Sequence, residues 1–172
     1  MKKLLPILLI AVFLTCISSC EKDDICVDGD TPLLVIGFFD VDDTTEAKEV
    51  DLLRIRSLDN ETVLENDTFS DRTDSPDSLS IPLRIDNTIT TYQFISDSAD
   101  DEDTEEETGN IDVLTISYDT REAFISRACG FVINYDNINV TLPDSAENWI
   151  QDISIVQQTI ENSNNIHVKI FH

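Results

Sequence analysis

Short hydrophobic runs, most of them alternating with polar residues, make up the greater part of this chain. Leu33–Phe39 is a continuous apolar run of strand length, which predicts a strand buried on both faces. Val50–Leu58 alternates with a period of two, and Arg54 and Arg56 mark its polar face. The period is that of β-strands, and no stretch of these residues shows the spacing of an amphipathic helix.

The central part of the chain predicts a β-hairpin. Leu79–Asp86 alternates strictly, and Pro82 within it cannot donate a hydrogen bond to a sheet, so we expect an edge strand. Thr90–Ile95 places Tyr92 and Phe94 on one face and is expected to pair with this edge strand.

The remaining strands follow a long acidic segment, with a turn predicted at Asp119–Glu122. Their predicted ranges are 111–118, 123–126, 129–135, 140–142, 149–157 and 166–171. Eight or nine short strands and no convincing helix predict an all-β fold, an antiparallel β-sandwich that is immunoglobulin-like or related. The four glycines are few for the sharp corners of a barrel.

The first residues have the pattern of a targeting segment. Lys2 and Lys3 precede an apolar core that ends at Ile17, too short for the roughly 20 residues of a membrane-spanning helix. Ile17-Ser18-Ser19-Cys20 resembles a bacterial lipoprotein signal, which implies that Cys20 is acylated and becomes the mature N-terminus. The alternative is an ordinary secretory signal with an incidental cysteine. We therefore expect a cleaved signal peptide at 1–19, a lipidated tether at 20–31 and one β-sandwich domain at 32–172.

The residues after Cys20 carry information about the final location. Glu21-Lys22-Asp23-Asp24 resembles the export signal of Bacteroidetes-type surface lipoproteins, which implies a lipid-anchored protein exposed on the outer membrane. The alternative is a charged tether that leaves the protein on the periplasmic face.

The chain is strongly acidic, with 35 Asp and Glu against 11 Lys and Arg. Removal of residues 1–19 changes its formal charge from −24 to about −26. Such a charge opposes binding to nucleic acid and to anionic membrane surfaces other than through the lipid. The predicted partners are therefore the bilayer, through acylated Cys20, and an envelope protein or glycan.

Four cysteines reduce to two that can pair in the mature protein. Cys16 leaves with the signal and Cys20 carries lipid, whereas Cys26 and Cys129 remain in an exported chain, where thiols oxidise. We expect a Cys26–Cys129 disulfide. The alternative is a buried free thiol at Cys129.

Residues 97–107, with eight acids in eleven positions, are the most conspicuous candidate for binding chemistry. They could bind Ca²⁺, but the ligand order of an EF-hand loop is missing, and a solvated, mobile surface loop is the preferred interpretation. His167 and His172 have no ligand spacing, and among so many acids no carboxylate pair stands out as a glycosidase site. We predict no catalytic residue, no metal and no cofactor.

Three short motifs resemble the Asp-Ser/Thr-aliphatic sequon of O-glycosylated Bacteroidetes-type proteins. This resemblance implies glycan acceptors at Ser78, Ser98 and Ser145.

The whole chain resembles a family of small uncharacterised Bacteroidetes-type lipoproteins. The resemblance rests on the Cys-x₅-Cys spacing of Cys20 and Cys26, on the segments Ile81-Pro82-Leu83 and Cys129-Gly130-Phe131, and on the closing Ile166–Phe171. It implies a location in the cell envelope and no assigned activity. The anchor, together with a compact domain without a catalytic constellation, predicts a non-catalytic binding or structural module on the outer membrane. The alternatives are a carboxylate-dependent glycan hydrolase and a Ca²⁺-modulated adhesion or assembly module.

Overall fold

Eight strands and no helix are found in the computed structural model, which describes Cys26 and residues 30–66 and 69–172. In chain order the strands are β1 (Leu34–Phe39), β2 (Arg54–Ser57), β3 (Ser78–Ile81), β4 (Ile89–Ser96), β5 (Asn110–Ser126), β6 (Gly130–Thr141), β7 (Asp152–Ile155) and β8 (Val168–Phe171).

The strands form two four-stranded sheets, with the orders β3-β1-β8-β7 and β2-β4-β5-β6. The pairs β1–β3, β2–β4, β4–β5 and β7–β8 are antiparallel. β1 and β8 are parallel, with Ile36 opposite Val168 and Phe39 opposite Phe171. The predicted all-β, predominantly antiparallel sandwich is confirmed.

The core consists of inward-facing side chains from both sheets, as the period-two alternation requires. Members with less than 2% of their surface exposed include Leu34, Ile36, Phe38, Ile55, Leu79, Ile81, Phe94, Leu114, Ile116, Tyr135 and Ile170. β1 is buried on both faces, as predicted, because Val35 and Gly37 on its other face are buried too. A Cβ at Gly37 would lie 2.7 Å from Ile166 Cδ1 and 2.8 Å from Phe39 Cε2, so a larger residue there would require these side chains to shift.

β3 is an edge strand, as predicted, but the predicted hairpin between β3 and β4 is wrong. β3 pairs with β1 in the first sheet, whereas β4 pairs with β2 and β5 in the second. β3 ends at Ile81, and the segment after Pro82 crosses from one sheet to the other. Alternation specified the two strands correctly but carried no information about which strand each would pair with.

The three tyrosines of the chain hold this crossing segment by three consecutive carbonyl groups. Their hydroxyls donate as follows: Tyr92 to Pro82 O at 2.7 Å, Tyr135 to Leu83 O at 3.1 Å and Tyr118 to Arg84 O at 2.9 Å. Burial raises the pKa of Tyr92 and of Tyr135 to about 12, so both hydroxyls stay protonated and can donate. The crossing is therefore bonded from β4, β5 and β6 together.

The turn predicted at Asp119–Glu122 is also wrong, because β5 runs on to Ser126. The polar side chain of Arg121 has hydrogen-bond partners on β6 and on the segment between β7 and β8. Arg121 Nε donates to Asp136 Oδ2 at 2.7 Å, and its Nη2 donates to Glu161 Oε1 at 2.8 Å. A cluster of polar residues, which read as a turn in the sequence, is here an exposed stretch of a long strand.

The chain divides into two compact units. The larger comprises Asp30–Ala123 and Val132–His172 and contains the core described above. The described members of the smaller unit are Cys26 and Phe124–Phe131. Residues Phe124–Phe131 form the end of the β5–β6 hairpin, and we call them the hairpin tip.

Candidate functional site

The hairpin tip is held by a disulfide. Cys26 Sγ and Cys129 Sγ are bonded at 2.06 Å, with the Cα atoms 4.9 Å apart, across 103 positions of sequence. Cys129 N also donates to Ser126 Oγ at 3.0 Å, which closes the turn. The predicted disulfide is present, in place of the alternative free thiol. The predicted acyl acceptor Cys20 lies outside the described residues.

The tip exposes large apolar side chains. Phe131 is 65% exposed, Phe124 59% and Ile125 43%. The two phenylalanine rings pack edge to face with their centroids 5.3 Å apart. The tip contains no acid, and its single charged residue is Arg127. In a chain this acidic, the tip is an apolar and slightly basic surface.

Residues 97–107, which we call the acidic loop, connect β4 to β5 and belong to the larger unit. Backbone hydrogen bonds close the loop on itself: Asp101 N donates to Glu106 O at 2.8 Å, and Thr108 N donates to Ala99 O at 2.8 Å. The loop is at the surface, as expected, and it has a defined internal hydrogen-bonding pattern that the sequence did not predict.

Two arginines bind the base of the acidic loop. Arg54 donates to Asp71 through Nη2 at 2.7 Å and to Glu107 through Nη1 at 3.0 Å. Arg72 pairs with Asp100 and lies 3.5 Å from Glu107 Oε2. Arg54 was predicted to mark a polar face, and the structure shows that it bridges two carboxylates there.

Glu107 is the acceptor at the centre of this arrangement. Its carboxylate receives hydrogen bonds from Ala99 N at 3.0 Å, Gly109 N at 3.1 Å and Ser98 Oγ at 2.9 Å. Burial by itself raises the pKa of Glu107, but the hydrogen bonds from Gly109, Ser98 and Ala99, together with Arg54, lower it below the ordinary value of 4.5. Glu107 is thus an ionised structural anchor.

The other acids of the loop are exposed, with Asp97, Glu102, Asp103, Glu105 and Glu106 among them. Asp101 Oδ1 accepts from Asp103 N and Thr104 N, both at 2.9 Å, so it orders the loop backbone. Over Cys26 and residues 30–66 and 69–172, no group of three or more His, Cys, Asp or Glu is arranged to hold a metal ion.

A cleft of about 470 Å³ lies beside the crossing segment, with Asp59, Arg84, Asp86, Thr90 and Tyr92 in its lining. Arg84 Nη1 lies 3.3 Å from Asp59 Oδ2, and its Nε lies 3.1 Å from Asp86 Oδ1. The hydrogen bond from Arg84 lowers the pKa of Asp86. General acids in glycosidases have raised pKa values, so Asp86 is unsuited to that role.

The three predicted glycan acceptors differ in accessibility. Ser145 is exposed in the loop before β7, and Ser78 is half-buried in β3. Ser98 is 1% exposed, donates to Glu107 Oε2 and accepts from Arg72 Nε at 3.1 Å. All three stay predictions, and their geometry favours Ser145 over Ser98 in the folded protein.

The two histidines are engaged with the backbone. His167 is 1% exposed, and its Nδ1 accepts from Val35 N at 3.0 Å; burial lowers its pKa, so the imidazole is neutral at neutral pH. His172 Nε2 lies 3.1 Å from Lys48 O, and burial lowers its pKa as well.

Asp112 is a buried acid that the sequence analysis did not single out. It is 2% exposed on the inward face of β5, where its Oδ2 accepts from Ile150 N at 2.8 Å and its Oδ1 has no hydrogen-bond partner. Burial raises its pKa. The signal was available in the sequence, because Asp112 has the same strand parity as Leu114, Ile116 and Tyr118.

No helix in the described part of the chain is long and apolar enough to cross a membrane.

Comparison with known proteins identifies the family but no activity. Neither the curated proteins nor the solved structures include a match to this chain. The model of a family of unknown function, DUF6452, matches residues 52–172, which is more than half of the chain. The chain therefore belongs to the family of unknown function DUF6452.

Proposed function

We propose that this protein is a lipid-anchored cell-envelope lipoprotein, a non-catalytic binding or structural module exposed on the outer membrane. The observation that carries the proposal is the Cys26–Cys129 disulfide. It accounts for both cysteines after Cys20 and suits an oxidising compartment, which leaves Cys20 behind Ile17-Ser18-Ser19 as the acyl acceptor. Two or three buried acyl chains would hold the protein firmly on a bilayer.

The non-catalytic part of the proposal is supported by what the polar groups already bind. Arg84 bridges the two carboxylates of the cleft, and Glu107 is occupied by backbone amides and arginines. His167 accepts from a buried backbone amide. These groups have structural partners, which is the arrangement expected of a binding scaffold.

Acylation is tested by substitution of Cys20, with Cys16→Ala as the matched control. Cys20→Ala is expected to abolish palmitate labelling and to release the protein from the membrane fraction, whereas Cys16→Ala should leave both unchanged. The intact mass should correspond to a chain that begins at an acylated Cys20. Palmitate labelling that persists in Cys20→Ala would overturn the proposal.

The outer location is tested separately. Replacement of Asp23 and Asp24 by Asn is expected to move the protein from the cell surface to the periplasmic face, because the proposed export signal consists of a lysine followed by two acids. Protease digestion of intact cells measures this exposure. Equal digestion of both forms would contradict surface export by this motif and leave the anchor intact.

A further inference from the structure

We propose that the hairpin tip docks on the bilayer that holds the acyl anchor, with Phe124, Ile125 and Phe131 in the interfacial layer of the lipid. The inference rests on the proposed function, because it requires an acylated Cys20. It goes beyond that function by assigning a second, reversible lipid contact to residues that are 100 or more positions away in sequence.

The first argument is the length of the tether. Six residue steps separate Cys20 from Cys26, and six steps of extended chain span at most about 22 Å. The disulfide then holds the Cα atom of Cys129 4.9 Å from that of Cys26. Since Cys20 is at the membrane surface in the proposed function, these two lengths keep the Cα atom of Cys129 within about 27 Å of the lipid headgroups.

The second argument is the chemistry of the tip. Two phenylalanines and an isoleucine at the end of one hairpin expose 43–65% of their surfaces. The two phenylalanine rings pack together, and Ile125 follows Phe124 in the strand, so apolar side chains occupy both faces of the tip. Aromatic and aliphatic side chains partition into the interfacial region of a bilayer. The eight residues 124–131 contain one positive charge and no acid, so the tip avoids the repulsion that the rest of this acidic chain would experience from anionic lipid.

Charge also favours lipid over a second copy of the chain as the occupant. Two copies with a net charge of about −26 each repel one another, and each tip would have to overcome that repulsion to pack against its counterpart. The bilayer is already within reach of the tip.

The test places a fluorescent reporter at the tip of the acylated full-length protein. F131W is reconstituted into vesicles of phosphatidylethanolamine and phosphatidylglycerol that contain a lipid brominated near the headgroup. We expect its emission to be quenched by roughly twofold or more relative to unbrominated vesicles, since the indole would lie in the interface. I85W is the matched control, because Ile85 is 60% exposed and belongs to the larger unit. Native Trp149 contributes the same background to both variants.

The outcomes separate this inference from the proposed function. Equal quenching of F131W and I85W, in protein that floats with the vesicles, would overturn the tip contact and leave the anchor intact. A mass without an acyl group would overturn both. An unquenched F131W, together with conversion of a detergent-solubilised dimer to a monomer by F124S/F131S, would show that the tip binds a second copy instead.

Discussion

The two loops on either side of β5 are ordered by opposite kinds of chemistry. The acidic loop has eight acids and is held by Arg54 and Arg72 through ion pairs and hydrogen bonds. The hairpin tip has one charged residue and is held by a covalent bond to Cys26. The order of the acidic loop depends on ionised carboxylates, whereas the order of the hairpin tip depends on a covalent bond and not on ionisation.

The difference shows what each loop is suited to do. The carboxylates at the base of the acidic loop are neutralised locally, so the remaining acids can face water without opening the loop. The hairpin tip is closed by a covalent bond, and its large apolar side chains are exposed. The following variants break each arrangement in turn.

The largest effect is expected from loss of the disulfide. Cys129→Ser should lower the free energy of unfolding by about 4 kcal/mol, because the bond closes a loop of 103 positions in the unfolded chain. Urea unfolding followed by the fluorescence of Trp149 measures it. The double variant Cys26→Ser/Cys129→Ser should lose no more than the single one; a twofold larger loss would mean that the two sulfurs contribute independently.

Loss of the central carboxylate comes next. Glu107→Ala should lower the free energy of unfolding by about 2–3 kcal/mol, because the amides of Ala99 and Gly109 lose their acceptor and each arginine loses one of its two carboxylate partners. Urea unfolding is again the measurement. The control Glu102→Ala, at an exposed position of the same loop, should change stability by about 0.5 kcal/mol or less. Equal effects of the two variants would contradict the anchoring role of Glu107.

A glycine lies at the exit of each loop, and the two should respond differently to alanine. A Cβ at Gly109 would lie 2.6 Å from Ser96 O, so Gly109→Ala forces a backbone shift and should lose about 2 kcal/mol. Gly130 has a φ of 75° and open space around it, so Gly130→Ala should lose only about 1 kcal/mol.

Gly130→Asn is the discriminating control for this pair, since asparagine tolerates positive φ. Thermal unfolding measures the stability of all three glycine variants, and Gly130→Asn should be less destabilising than Gly130→Ala. The reverse order would contradict a purely conformational requirement at Gly130.

The smallest expected effect is a difference between the two loops in how their amide protection responds to pH. The pKa of Glu107 is lower in the folded protein than its ordinary value of 4.5, so its stabilising contribution is complete above that value and is lost as the pH falls through the lower folded pKa. As the pH falls from 5 to 3, hydrogen-exchange protection of the Ala99 and Gly109 amides, corrected for intrinsic rates, should decrease. The Cys129 amide, bonded to a serine hydroxyl, should keep its protection. A parallel loss at all three amides would indicate global unfolding.

Strand positions were predictable because alternation is a local property of the chain. The burial of Leu53 and Ile55 between exposed or bridging neighbours follows directly from it, and so does the edge position of the strand before Pro82. The disulfide was predictable from the number of cysteines left after Cys20. These inferences need no knowledge of which elements come together.

Pairing and electrostatics were not predictable in this way, because both depend on long-range contacts. Sequence proximity suggested that the strand ending at Ile81 pairs with the one beginning at Ile89. The partner of the first is β1, and the partners of the second are β2 and β5. Arg54 meets Glu107 across 53 positions, which no local pattern encodes. Asp112 can be recognised in the sequence as an acid at a strand position where alternation places apolar residues. Its hydrogen-bond partner Ile150 cannot be predicted in this way.

The parallel pairing of β1 with β8 has a consequence for the time course of folding. β1 begins at Leu34, and its parallel partner begins at Val168, so β1 lacks one of its two neighbours until residues 168–171 are present. Contacts this distant in sequence slow folding, since the loop-closure entropy is lost before the sheet forms. A chain that lacks Val168–Phe171 should therefore expose the β1 edge and aggregate. The same delay leaves the first sheet incomplete until Val168–Phe171 has been synthesised.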